Sequence, residues 1–383
     1  DTDRSRGLGD VYKRQGLHYS NKNVESKHDV NSFDMKSGAS AGNRWGLKGT
    51  EDLGNGYKVG FVLENGFTED DGELGNGGRL FGREANLYVA SDFGTLSFGR
   101  VGALTSGCGS YDQMKYTPFA TGWAGTATKA NFMLADRDRM DNTVTYVTPS
   151  FAGVQVYAQY SFNRDGQETA GNERQNDRYA ALGASYKNGA FSSALVVDTV
   201  MHNNKSANDK DSLGVTLGAS YDFEVVKLFA MGQYGQHENF LGTTFDKGEK
   251  LAAGTYDSAY FKTVSSKGWK GYGVNLGATA PVLGGTVLAQ ASYLDAKTHD
   301  GMSYESADKG AAATAALGTG SYKEAKAQNW GIALGYTYPF SKRTNVYTYV
   351  SYNETQVKTE AAAKDTDVTT KFTEFGLGIK HAF

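Results

Sequence analysis

Six histidines and a single cysteine are the residues of this chain best suited to catalysis or metal binding. A Ser-His-Asp site would need His18, His28, His202, His237, His299 or His381 as its base. Most of these fall in polar stretches or at the ends of alternating segments, and none accompanies a recognisable nucleophile motif. No H-E-x-x-H or comparable ligand spacing is present. The sequence therefore predicts no catalytic residue, no metal site, no cofactor and no enzyme. Cys108 stands alone, which excludes an intrachain disulfide and a cysteine-rich metal site. It reads as an incidental small residue rather than a redox centre. What remains is electrostatic: arginines, lysines and aspartates that can shape a field but break no bond.

The elements that carry those charges follow from composition. The 383 residues include Gly 49, Tyr 24 and Phe 20 against Pro 4, a profile rich in turn residues and strand aromatics. Only 39% of residues are hydrophobic, and no run of about 18 apolar residues could form a membrane-spanning helix. A transmembrane barrel escapes that test, because only alternate residues of its strands face lipid. A net charge of -3 gives no reason to expect nucleic-acid binding.

Period-two alternation is the dominant signal. Val154, Val156, Ala158, Tyr160 and Phe162 alternate with polar residues, as do Leu213, Val215, Leu217, Ala219 and Tyr221, and Trp330, Ile332, Leu334, Tyr336 and Tyr338 with small or polar ones. About sixteen strands are predicted, near 16–21, 40–52, 57–67, 81–91, 95–101, 139–149, 154–163, 178–187, 190–202, 212–223, 227–237, 270–281, 286–296, 327–339, 344–354 and 371–383. Tight-turn sequences such as Leu53-Gly54-Asn55-Gly56, Asp92-Phe93-Gly94, Lys187-Asn188-Gly189 and Phe340-Ser341-Lys342 connect some of them. Long polar stretches, near 68–80, 101–138, 164–177, 203–211, 238–268, 297–326 and 355–370, connect the others. Short turns at one end and long loops at the other describe an all-β, sixteen-stranded antiparallel transmembrane β-barrel. A sandwich or propeller would not sort its loops this way.

The two ends of the chain carry local signals. Phe375, Leu377, Ile379, His381 and the terminal Phe383 share one strand face. Strand-end aromatics Tyr160, Phe162, Tyr221, Phe223, Tyr336 and Tyr338 fit a girdle at the headgroup level. At the other end, Val11-Tyr12-Lys13-Arg14-Gln15 resembles the translation of a transposon adapter used in sequencing libraries. Residues 1–15 are accordingly expected to be non-native, and 16–383 to be the barrel with its first strand truncated.

Four segments together resemble the general porins of Gram-negative bacteria, the Neisseria and Burkholderia branch in particular. They are Arg44 to Gly56, Phe93 to Arg100, Arg139 to Tyr146 with Pro149 and Phe151-Ala152-Gly153, and Gly376 to Phe383. The resemblance spans nearly all of 16–383. It implies a homotrimer in the outer membrane of a Gram-negative bacterium, embedded in outer-membrane lipid and lipopolysaccharide. It also implies that Phe383 is the insertion signal read by the barrel-assembly machinery. The function implied is passive diffusion of small hydrophilic solutes and ions through a water-filled pore. A third loop, about 101–138, folds inward to narrow it. A substrate-specific channel for sugars or dicarboxylates is the alternative.

In that family, basic residues of the wall face acidic residues of the third loop, and the field between them orients solutes. Parity places Arg44 and Lys48 on the lumen side, because Trp45 and Leu47 read as lipid-facing; it places Arg139, Asp141, Thr143 and Thr145 there too. A guanidinium in lipid near mid-depth would cost about 2–4 kcal/mol. Arg83 matches the family's fourth-strand arginine, but its parity agrees with the lipid-facing Leu87 and Val89, which predicts a bulge or a position above the membrane band. Arg100 is ambiguous in the same way. The loop departs from the family's Pro-Glu-Phe-Gly motif: Thr117-Pro118-Phe119-Ala120-Thr121-Gly122 has no carboxylate. Asp112 is the main mid-loop acid, with Lys115 nearby. Trp123 and Phe119 are expected to pack the loop on the wall, with sugar stacking as the alternative role. A depleted acidic side predicts modest anion preference.

Overall fold

The computed structural model describes residues 10–24, 28–38, 40–119, 123, 131–135, 137–164, 166, 176–202, 210–238, 261–263, 268–299, 303–306, 320–361 and 366–383. In chain order the strands are β1 (Asp10–Val24), β2 (His28–Ser37), β3 (Asn43–Gly54), β4 (Tyr57–Phe67), β5 (Glu84–Ser91), β6 (Gly94–Gly102), β7 (Arg139–Val147), β8 (Val154–Ser161), β9 (Arg178–Asn188) and β10 (Phe191–Met201). They continue with β11 (Leu213–Asp222), β12 (Lys227–Glu238), β13 (Phe261–Thr263), β14 (Trp269–Val282), β15 (Gly285–Thr298), β16 (Ser303–Ser306), β17 (Gly320–Pro339), β18 (Thr344–Ala361) and β19 (Thr366–Ala382). One short helical turn, α1 (Gly75–Gly78), lies between β4 and β5.

Seventeen of these strands form one antiparallel sheet, and β13 pairs separately with β16. From β3 onward, successive strands of this sheet are neighbours, joined alternately by tight turns and longer segments. Tight turns form where the chain supplies residues that tolerate a left-handed backbone: Asn55 has φ 52° and Gly56 φ 79° between β3 and β4. β1 pairs with β19 from Tyr12↔Ala382 to Val24↔Thr370. On its other side β1 pairs with β2, from Gln15↔Ser37 to Val24↔His28, and with β3, from Asp10↔Gly46 to Tyr12↔Arg44. β2 and β3 thus lie end to end along the same neighbour. β1 also runs back through residues expected to be non-native.

Three strands were not expected: β2, β13 and β16. In β2 the apolar signal is thin, because Phe33 and Met35 alternate within a run of polar residues. β17, β18 and β19 also reach further into polar sequence than expected, to 320, 361 and 366. There the ladder is held by backbone pairing, such as Gln356↔Thr369 and Lys358↔Asp367, without an apolar face to announce it.

Strand alternation gives the sheet two unlike faces. Leu182, Leu217, Leu276, Ile332 and Leu334 are exposed on one. Ser97, Thr145, Gln159, Gln233, Asn275 and Asn353 are buried on the other. An exposed apolar face and a hidden polar one is the inverse of a water-soluble sheet.

The polar face is covered by the segment between β6 and β7. Leu104 N–H donates to Gln159 Oε1 at 3.1 Å, and Ala135 N–H to Gln233 Oε1 at 2.7 Å. Asn329 Nδ2 donates to Asn131 O at 3.1 Å. Phe119 and Trp123 enter an apolar cluster with Leu288, Ala333, Tyr347 and Tyr349 from β15, β17 and β18. Trp123 meets Phe119, Tyr347 and Tyr349 edge-on, with ring centroids 5.1, 5.3 and 5.4 Å away. Close approach demands glycine beneath the segment. A Cβ on Gly273 would overlap the carbonyl of Phe132, and one on Gly277 would overlap Pro118.

Candidate constriction site

The arginines predicted to line a constriction lie on or beside β3, β5, β6 and β7, and they divide between different acids. Gly46 stands directly across from Glu64, and Arg44 from Gly66. With no side chains on those two glycines, Arg44 and Glu64 reach each other diagonally, Nη1 to Oε1 at 3.6 Å. Arg83 crosses the same gap and donates from Nε to Glu64 Oε1 at 2.5 Å. It can do so because it precedes β5, where strand parity has not yet begun to govern its direction. Two guanidiniums therefore share one carboxylate.

Arg100 belongs to a second group. It donates from Nη1 to Asp141 Oδ1 at 2.7 Å and from Nε to Gly82 O at 2.8 Å. Arg79 approaches the same carboxylate, at 2.7 Å from Asp141 Oδ2. Arg139 donates from Nη1 to Asn76 Oδ1 at 3.1 Å and to Asp138 Oδ1 at 3.3 Å, while its buried Nε has no hydrogen-bond partner. Simple parity does not carry across β7. Its register with β6 shifts between Gly99 and Val101, and Asn142 takes a left-handed φ of 49°. Thr143 and Thr145 are buried on the polar face, but Arg139 and Asp141 lie beyond the irregularity, so alternation alone cannot set their direction.

Among its described residues the covering segment carries two carboxylates, Asp112 and Asp138. Asp112 is buried, and its Oδ1 accepts the backbone N–H groups of Gly107 and Met114 at 2.8 and 3.0 Å. Its charge serves the segment's own turn. Lys115 and Lys48 are exposed. Ser110 ties the segment to the wall by donating to Glu84 Oε1 at 2.5 Å. Cys108 is half-buried, and its N–H bonds Ser106 Oγ at 3.2 Å. Burial pushes the phenols of Tyr111 and Tyr116 above their ordinary range, so both remain neutral where they pack. At the far end, Phe383 is exposed, with its ring 4.5 Å from that of His381.

Sequence reasoning passed over Glu64 and Arg79, and over a buried group of Arg137, Asp198 and Glu238. Arg137 donates from Nε to Asp198 Oδ1 at 2.7 Å, and from Nη1 and Nη2 to Glu238 at 2.7 and 2.8 Å. Burial opposes its charge, but Asp198 and Glu238 outweigh that and hold the guanidinium protonated beyond its ordinary range. One signal was available. Asp198 shares the buried face of β10 with Ala194, Val196 and Val200, and a carboxylate in an apolar row requires a cation from elsewhere.

A sheet with a lipid-compatible face, and with a polar face lying under a folded-back segment beside clustered arginines, defines a membrane-spanning β-channel protein. Comparison with known proteins gives the particular family. Residues 13–358 match the family described as Gram-negative porin. An outer membrane porin protein of Bordetella pertussis is 32% identical over 394 residues, covering 100% of this chain and 92% of that protein. Outer membrane porin protein 32 of Delftia acidovorans is 29% identical, covering 91% of this chain and 86% of that one. Among solved structures, the anion-selective porin from Comamonas acidovorans superposes with a TM-score of 0.67 at 24% identity, covering 99% of this chain and 100% of that chain. The outer membrane channel DcaP of Acinetobacter baumannii gives 0.58 at 14% identity, covering 100% of this chain and 99% of that chain. The chain belongs to the Gram-negative porin family. It is an outer-membrane channel that passes solutes by diffusion.

Proposed function

We propose that the sheet closes into a barrel of sixteen strand positions, with the 101–138 segment inside it as the constriction loop, and that the pore is a general one with modest anion preference. Closure is supported by the pairing of β1 with β19 on one side and with β2 and β3 on the other. β2 and β3 then count as one position, and β13 with β16 as an annex above the wall. A closed sheet leaves no unpaired edge in lipid, and the polar face beneath the segment becomes the lumen.

The observation that carries the charge preference is the imbalance at Glu64. Arg44 and Arg83 share that carboxylate. Among the described residues of the loop, the carboxylates are Asp112, committed to backbone N–H groups, and Asp138, beside Arg139. Arg44, Lys48, Arg83, Arg100, Lys115 and Arg139 then make a positive pore with Asp112 as a structural acid. The anion selectivity named for the Comamonas porin accords with this reading. We also propose a homotrimer, surrounded by lipopolysaccharide and assembled through the signal at Phe383, with no reaction catalysed on the solutes. The family and the trimer form described for a structural neighbour, OmpT of Vibrio cholerae, support that assembly.

The test is the reversal potential of the refolded protein in a planar bilayer under a KCl gradient at low salt. A potential on the chloride side of zero is expected. Clear cation preference would sink the charge assignment, and saturable block by one sugar or dicarboxylate would favour the substrate-specific alternative.

A further inference from the structure

Asp198 holds the constriction loop at both ends. Its Oδ2 accepts the Thr105 hydroxyl at 3.0 Å, just after the loop leaves β6. Its Oδ1 accepts Arg137 Nε at 2.7 Å, just before the loop enters β7. Arg137 in turn reaches Glu238 on β12 with two further bonds, and Ser212 Oγ at 3.1 Å. The Ser212 hydroxyl also accepts the backbone N–H of Val200 at 3.1 Å, which fixes it against β10. Thr105, Arg137, Asp198 and Glu238 are all buried.

This is a costly way to fill space. Burying one guanidinium with two carboxylates carries a desolvation penalty of several kcal/mol per ion, recovered only when geometry is good and the remaining hydrogen bonds are made. Well-packed apolar residues could cover the same patch, as Leu104 and Met140 do beside Tyr179 and Val196. An apolar contact is tolerant of sliding, whereas a carboxylate bonded through each oxygen to a different loop end is not. The β6–β7 ladder already joins the two loop ends, through the Gly102↔Arg139 pair and the Ala103 N–H bond to Asp138 O; Asp198 adds a fixed attachment of both ends to β10. Resting on the pore reading above, we propose that Asp198 is a two-ended clamp that pins both ends of the constriction loop to β10, and so sets the steadiness of the open channel without touching solute.

The experiment is single-channel recording of the full-length protein in planar bilayers, with Thr105→Val, Thr105→Ser, Asp198→Ala and the Thr105→Val/Asp198→Ala double variant. Thr105→Val removes one hydrogen bond and no charge. It should raise the frequency of open-channel flicker about fivefold, the Boltzmann factor of a net hydrogen bond of ~1 kcal/mol, and leave the reversal potential where it was. Thr105→Ser should restore the wild-type record. Asp198→Ala should flicker more than Thr105→Val, and adding Thr105→Val to it should change nothing further, because the shared acceptor is already gone. A quiet Thr105→Val channel, or effects of the two substitutions that simply add, would overturn the clamp. Should Asp198→Ala fail to fold, the Val and Ser variants at Thr105 still decide. A wild-type protein that forms no channel would instead overturn the pore reading.

Discussion

Replacing Glu64 by Gln should sharpen anion preference, and the size of the change follows from the geometry. Glu64 is the shared partner of Arg44, at 3.6 Å, and Arg83, at 2.5 Å. In the pore proposed above, its removal takes from both guanidiniums the carboxylate they share. An ion passing about 5 Å from that carboxylate interacts with it by ~0.8 kcal/mol in a water-like dielectric. Screening at about 0.1 M salt reduces this to ~0.5 kcal/mol. Removing the charge then favours an anion by about twofold and disfavours a cation by about the same, so the permeability ratio changes about fivefold. At about 1 M salt, with a Debye length of ~3 Å, the change should shrink to less than about twofold. Arg44→Gln should move the ratio the other way by a similar factor. The assay is reversal potential under a tenfold KCl gradient, repeated at both ionic strengths. An unchanged potential in Glu64→Gln, or a shift that survives high salt, would refute the placement of this group at the narrow part of the pore.

Three further substitutions separate structural from electrostatic roles. Asp112→Ala removes a carboxylate that accepts two backbone N–H groups, which should weaken the loop by about 1.5–3 kcal/mol; limited proteolysis should then cut the loop faster, and a reversal-potential shift as large as that of Glu64→Gln would contradict the assignment. Leu334→Arg places a guanidinium on the exposed apolar face, where a mid-depth site costs about 2–4 kcal/mol; urea unfolding from lipid vesicles should show the loss, and no loss would mean that Leu334 does not face lipid. Phe383→Ala should lower the yield in the outer membrane while leaving unfolding of the detergent-refolded protein little changed, and an equal yield in cells would remove Phe383 as a signal.

Much of the architecture was legible from one-dimensional pattern. β4 occupies 57–67 as read from alternation, and the turn at Asn55-Gly56 lies where residues able to adopt a left-handed backbone demanded it. Such features are local, since a strand with one lipid face must alternate and a two-residue hairpin must supply positive φ. The same logic identified Phe119 and Trp123 as residues that pack the loop, because large aromatics in a polar loop need apolar cover.

Charge pairing was not legible in this way. Alternation assigned Arg44 a side, but only the fold brought Arg83 across two glycines onto the same carboxylate, after a turn had released it from strand parity. A register slip opposite Asn142 removed parity as a guide to Arg139 and Asp141. Arg137 and Asp198 are far apart in sequence and meet because the loop returns to the wall. Sequence by itself determined that this chain spans a membrane in strands with one apolar and one polar face, since that follows from the period of its side chains together with the alternation of tight turns and long loops. Tertiary structure decided which charges meet one another, because an electrostatic field depends on distances of a few ångströms between residues that sequence spacing does not relate.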